Sequence, residues 1–174
     1  PIEGTTLGLL GYGAIGQAAA AAALGLGMRV HALRRSAPAA DEGIVFVRSV
    51  EELLATSDHL VLAAPATPQT RHILNADSLR AAKPGIHIIN VARGSLIDDE
   101  ALLEALADGR VARATLDTTT PEPLPAGHPF YSHPRVRVSP HTAAIGSGAR
   151  LALVEKVAAN LERHRQGLGL LDPP

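Results

Sequence analysis

The chain has 174 residues and no cysteine, with 16 Lys and Arg against 17 Asp and Glu for a formal net charge of -1. That balance excludes a general attraction to nucleic acid or to an anionic membrane surface, so any anion must be recognised locally. Without cysteine there are no disulfides, no thiolate catalysis and no cysteine metal sites.

A hydrophobic fraction of 46% is enough for one sizeable core, and a single domain over residues 1–174 is expected. The longest apolar stretch, Ala18 to Leu26, is too short to cross a bilayer. Pro1-Ile2-Glu3-Gly4 has neither the basic start nor the apolar run of a signal peptide, so a cytoplasmic protein is expected. The missing initiator Met reads as the mark of a piece of something longer.

In chain order, Thr5 to Leu10 predicts a buried strand and Ala14 to Leu24 an Ala-rich helix. Met28 to Leu33 and Ile44 to Val47 follow as strands, then a helix over Val50 to Ala55 with Ser49 as its N-cap. Leu60 to Ala64 is a strand stopped by Pro65; Asn75 or Asp77 could cap a short helix ending at Pro84-Gly85. After the strand Ile86 to Val91, Asp98, Asp99 and Glu100 load the first turn of a helix that ends near Gly109. Ala112 to Asp117 is a strand, a loop with five prolines leads to the short strand Val136 to Val138, and Ser147 to Arg165 is a long helix. Apolar strands alternating with helices predict an α/β fold, a doubly wound Rossmann-type parallel sheet with helices on both faces.

The first strand runs into Gly11-Tyr12-Gly13-Ala14-Ile15-Gly16 and then a helix, the setting in which a GxGxxG run carries meaning. Gly11 permits the tight turn, Gly13 lets a pyrophosphate approach the backbone, and Gly16 lets the helix pack closely on the strand. Where an NAD site places a carboxylate, at the end of the second strand, stand Arg34, Arg35 and Ser36. Guanidinium forks and a hydroxyl suit the 2′-phosphate of NADP, so NADP is expected to be preferred, with NAD possible. Solvated surface arginines are the competing explanation of that pair.

Pro65-Ala66-Thr67-Pro68-Gln69-Thr70, Asn90-Val91-Ala92-Arg93-Gly94, Leu116-Asp117, Pro121-Glu122-Pro123-Leu124-Pro125 and Ser139-Pro140-His141-Thr142-Ala143-Ala144 each follow a predicted strand. That edge of an open parallel sheet is where ligands bind. The order of motifs resembles the D-isomer-specific 2-hydroxyacid dehydrogenase family over essentially the whole chain, nearest its glyoxylate and hydroxypyruvate reductase branch.

The resemblance implies a catalytic set of Arg93, Glu122 and His141. In it Arg93 would fork onto the substrate carboxylate and polarise the ketone, and His141 would donate a proton to the carbonyl oxygen. Glu122 would orient the ring and stabilise its charged form. The resemblance also implies cofactor contacts from Gly11, Tyr12, Gly13, Ala14, Ile15 and Gly16, from Arg34, Arg35 and Ser36, and from Ala64, Pro65 and Thr70. It adds Val91, Ala92, Asp117, Ala143 and Ala144 to that set. Thr118, Thr119 and Thr120 depart from the family's apolar or aromatic residues followed by an acid.

Without cysteines or a carboxylate cluster no metal site is expected, and no GxSxG elbow points to a hydrolase. The family's second, substrate-binding domain has no counterpart here, so an isolated domain is expected to bind cofactor but turn over poorly. Small 2-keto or 2-hydroxy acids are the expected ligands, and a homodimer the expected assembly. NAD-linked phosphoglycerate, formate or phosphite oxidation, or a non-enzymatic dinucleotide-sensing module of corepressor type, stand as the alternatives.

Overall fold

The computed structural model describes residues 2–35, 42–146 and 148–171. They divide into two compact units, residues 1–141 and 142–174, each taken by itself.

The first unit is built on seven strands in the order β3-β2-β1-β4-β5-β6-β7, every neighbouring pair parallel. Here β1 is Thr6–Leu10, β2 Arg29–Leu33, β3 Ile44–Phe46 and β4 His59–Leu62. The others are β5 (Ile86–Asn90), β6 (Val111–Leu116) and β7 (Val136–Val138). Between them run α1 (Ala14–Gly25), α2 (Val50–Thr56), α3 (Ala76–Arg80), α4 (Asp99–Ala107) and α5 (Pro129–Ser132). The strand order reverses between β1 and β4, the switch point at which open α/β sheets bind ligands.

β1 is buried along its whole length because the chain covers both of its faces. Leu7 and Leu9 join Val30, Ala32, Ala20 and Ala23 beneath α1. Leu10 belongs to the larger core on the other face, with Leu60, Leu62, Ile86, Ile88, Leu53, Leu54, Leu79, Leu102 and Leu106 from β4, β5, α2, α3 and α4. β2, β4 and β5 alternate instead of being buried on both faces, leaving His31, His59, Val61, His87 and Ile89 half-buried.

The helix starts follow their capping residues. Ser49 accepts from the Glu52 N–H (3.1 Å), and Asp98 accepts from those of Glu100 and Ala101. Of the two candidates before α3 it is Asn75 that caps, accepting from Asp77 and Ser78 while Ser78 Oγ accepts from the Asn75 N–H. α3 stops at Arg80, short of Pro84-Gly85. Ala81 and Ala82 turn back tightly onto the Ser78 and Leu79 carbonyls, and the Lys83 N–H goes to Leu54 O of α2. The proline loop hides one short helix, α5, with Pro129 at its first position and Phe130 in the core.

The second unit holds α6 (Ala149–Arg165), which begins after Gly148; Ser147, the predicted start, lies outside the described residues. Its tail folds back onto it, with the Leu171 N–H on Asn160 Oδ1 (2.7 Å) and Arg163 Nε on Gly169 O (2.5 Å). Leu151, Leu153, Val154, Val157 and Leu161 are exposed. Among the described residues no helix is long and apolar enough to cross a membrane.

Candidate active site

The predicted site residues of the first unit follow the C-terminal ends of its parallel strands. β1 delivers the glycine run, with Gly11 in the left-handed region at φ 101°. A Cβ there would lie 2.7 Å from the main chain of Ala63 and Ala64, so only glycine lets this turn close against the chain leaving β4. At Gly16 a Cβ would strike the Gly11 carbonyl, which is the close helix approach expected of that position. At Gly13 it would meet nothing within 4 Å. Gly13 is the N-cap of α1, without a side-chain cap, and no acid stands in the first turn. Open space before uncapped amides at a helix start fits a phosphate group.

Tyr12 differs from its neighbours. Its ring is buried edge-on against Phe46, centroids 5.2 Å apart, and cements the α1 face of the core. Arg34 and Arg35 follow β2 and are exposed, while Ser36 lies outside the described residues.

Ile15, Ala64, Pro65, Val91, Ala92 and Arg93 come together around a cleft of about 470 Å3, between the chain ends of β1, β4 and β5. Thr70 shapes one wall. Its hydroxyl donates to Pro65 O (2.7 Å) and accepts from the Thr67 N–H (2.8 Å), locking the turn that carries Pro65.

Asn90 shapes the other wall, a role its sequence motif alone does not announce. It is fully buried, its Oδ1 accepts from the Ala92 N–H (3.0 Å) and its Nδ2 donates to Arg93 O (2.9 Å). The exposed Arg93 side chain thus leaves a fixed main chain, and its Nη1 rests on Ala92 O (2.6 Å).

His141 and Glu122, nineteen residues apart, meet through Nδ1 and Oε1 at 2.9 Å, both side chains partly open to solvent. His141 sits at φ 55°, a strained setting for a side chain. Its N–H, shared between Asp117 O (2.9 Å) and Ser139 O (3.0 Å), helps hold it there. Asp117 is 5% exposed, takes a 2.5 Å hydrogen bond from Ser139 Oγ and donates its own N–H to Asn90 O (2.9 Å). This buried carboxylate braces the histidine turn, and Ser139, another residue without a predicted role, is its partner. With Nδ1 on the carboxylate, Nε2 is the ring nitrogen left for a reacting group. Ala143 and Ala144 lie in the second unit, in the turn closed by the Ile145 N–H on Thr142 O. Among the described residues no group of three or more His, Asp or Glu side chains is arranged to hold a metal ion.

Residues 1–143 match the family model described as D-isomer specific 2-hydroxyacid dehydrogenase, NAD binding domain. The chain is 39% identical over 168 residues to a glyoxylate reductase of Thermococcus gammatolerans, covering 95% of this chain and 50% of that protein. A D-isomer specific 2-hydroxyacid dehydrogenase from Xanthobacter autotrophicus Py2, solved with NADPH and MES, is 37% identical with a TM-score of 0.88 over 97% of this chain and 53% of that one. An NADPH-dependent glyoxylate/hydroxypyruvate reductase from Sinorhizobium meliloti, solved with NADP and sulfate, is 31% identical with a TM-score of 0.86 over 97% and 55%. The chain spans about half the length of the curated relatives it matches.

Proposed function

The chain belongs to the D-isomer specific 2-hydroxyacid dehydrogenase family as its NAD-binding domain, and from that premise we propose that it serves an NADPH-preferring reductase of small 2-keto acids such as glyoxylate or hydroxypyruvate. The observation that carries this reading is the 2.9 Å pair of His141 Nδ1 and Glu122 Oε1, following the same sheet edge as Arg93 at the cleft.

A nicotinamide dinucleotide bound there would supply the hydride. Its phosphates fit the space before Gly13 and the amides of α1. Arg93, at the cleft, would fork onto the substrate carboxylate, holding the keto group in one orientation and drawing charge toward the carbonyl oxygen. His141, protonated, gives its Nε2 proton to that oxygen as the alcohol forms. Glu122 fixes the ring through Nδ1 and balances its positive charge. In the oxidising direction neutral His141 takes the hydroxyl proton back.

Preference for NADPH is supported by Arg34 and Arg35 after β2, where Leu33 to Ser36 offer no carboxylate, and by the NADPH and NADP bound to the two solved relatives. The proposal extends to a homodimer, as the resemblance implies, and to a cytoplasmic location; light scattering on the purified protein tests the assembly.

Fluorescence titration of the intact protein with both cofactors tests the preference. Arg34→Ala is expected to weaken NADPH about tenfold, the loss of one charged hydrogen-bond partner, and to leave NADH within twofold. Equal affinities for both cofactors in the unaltered protein would overturn the preference. His141→Ala is expected to abolish 2-keto acid reduction while NADPH still binds; retained turnover would overturn the role of His141.

A further inference from the structure

Three loops shape the candidate site in the first unit: one after β4 with Pro65 and Thr70, one after β5 with Arg93, and one after β6 with Glu122. The first two are zipped together by main chain. The His72 N–H donates to Ser95 O (2.8 Å), Leu74 to Leu96 O (3.0 Å) and Asp98 to Leu74 O (2.8 Å). The third loop has fewer such means, because Pro121, Pro123 and Pro125 have no N–H to give. Glu122 sits among them.

Two consecutive carboxylates at the start of α4 face histidines from the loops on either side. Asp98 Oδ2 lies 3.8 Å from His72 Nδ1, and Asp99 Oδ2 lies 3.8 Å from His128 Nε2. His128 closes the Glu122 loop. Its Nδ1 accepts from the Phe130 N–H (3.3 Å), so the ring proton of the neutral form is on Nε2, toward Asp99. Its ring stacks edge-on against the buried Phe130, centroids 4.7 Å apart. The Asp99–His128 pair is the less exposed of the two, with side chains 27% and 19% exposed against 38% and 39% for Asp98 and His72. Burial raises the Asp99 carboxyl above its usual range, His128 draws it down, Asp98 raises it and His72 lowers it. These four groups therefore form one electrostatic unit.

We propose that Asp99 and His128, backed by Asp98 and His72, are positioning residues that fix the Glu122 loop against the Arg93 loop and so keep Glu122 within reach of His141. As side-chain pairs near the surface they add little to global stability. Their effect is on where a proline-rich loop rests. The inference builds on the reductase reading, since it gives Glu122 its work.

Hydrogen exchange of residues 118–128, read on the intact protein beside steady-state kinetics, tests it. Asp99→Asn and His128→Gln are each expected to speed exchange of that loop about tenfold and to lower kcat about tenfold, with the NADPH dissociation constant within twofold. The double variant is expected to be no worse than either single one, and Asp99→Glu to recover part of kcat. Unchanged loop exchange, a fully additive double variant, or faster exchange with unchanged kcat would each overturn the proposal. Should Asp99→Asn fail to fold, His128→Gln carries the test. If the unaltered protein reduces no 2-keto acid, the reductase reading fails instead, and the exchange pattern still decides whether the pair holds the loop.

Discussion

Thr118 is 2% exposed, and its Oγ1 is the buried side-chain polar atom without a hydrogen-bond partner among the described residues. A hydroxyl taken from water and given no partner costs about 1–3 kcal/mol. Thr118→Val keeps the shape and removes the hydroxyl, so it is expected to stabilise the protein by about 1 kcal/mol, seen as a melting temperature higher by about 2–4 °C. The same residue shows what sequence can and cannot say at this scale. Arg93, Glu122 and His141 were singled out by the resemblance, each after a predicted strand, and the 2.9 Å Glu122–His141 pair joins two of them. Asn90 and Ser139 were in the quoted motifs but gained no role. A buried amide or hydroxyl declares its importance only through its partners, here the main chain of Ala92 and Arg93 and the carboxylate of Asp117. Tyr12, read as part of a nucleotide loop, has its ring in the core against Phe46, a contact between segments more than thirty residues apart.

Element starts were read more closely than element ends. Ser49 and Asp98 cap as a short polar residue before an apolar helical pattern should, and Asn75 does so with a reciprocal Ser78 bond. Asn75 also donates to His72 O (2.9 Å), so it holds both the start of α3 and the turn leading into it. Asn75→Ala is expected to destabilise by about 1–2 kcal/mol in urea unfolding, near the upper end for a cap because two functions are lost. Ends were less legible because nothing local forces them: α3 is stopped at Arg80 by the capture of the Lys83 N–H by α2. α5 and the 3-10 turn Gly94–Leu96 were missed for another reason. Four and three residues are too few to show a helical period, and what holds them is burial of Phe130 and Leu96 in a core assembled from distant strands.

For the whole molecule, the fold class was legible because apolar strands and helices alternate along the entire first unit, and the observed sheet is parallel throughout. That sheet carries titratable groups that tie its stability to pH. Burial lowers the pKa of both His31 and His87; Arg29 lowers His31 further against an opposing Glu52, and His59 and Arg113 lower His87 further. The folded protein therefore binds fewer protons here than the unfolded chain, and stability falls as the pH drops below the unfolded value near 6.5 toward the lower folded ones. Urea midpoints are expected to decline between pH 7.5 and 5.5, and His87→Gln to flatten that decline; an unchanged slope would remove His87 from the account. The strand order has a consequence in time as well. Leu7 of β1 pairs with Val30 on one side and with His59 on the other, the second partner being made about fifty residues later. At roughly 5–20 residues per second of synthesis, β1 waits several seconds with one edge open. Since no two neighbouring strands form a hairpin, none of this pairing can zip up locally. The chain is thus expected to pass through a slow, aggregation-exposed interval during its synthesis, until β4 reaches β1.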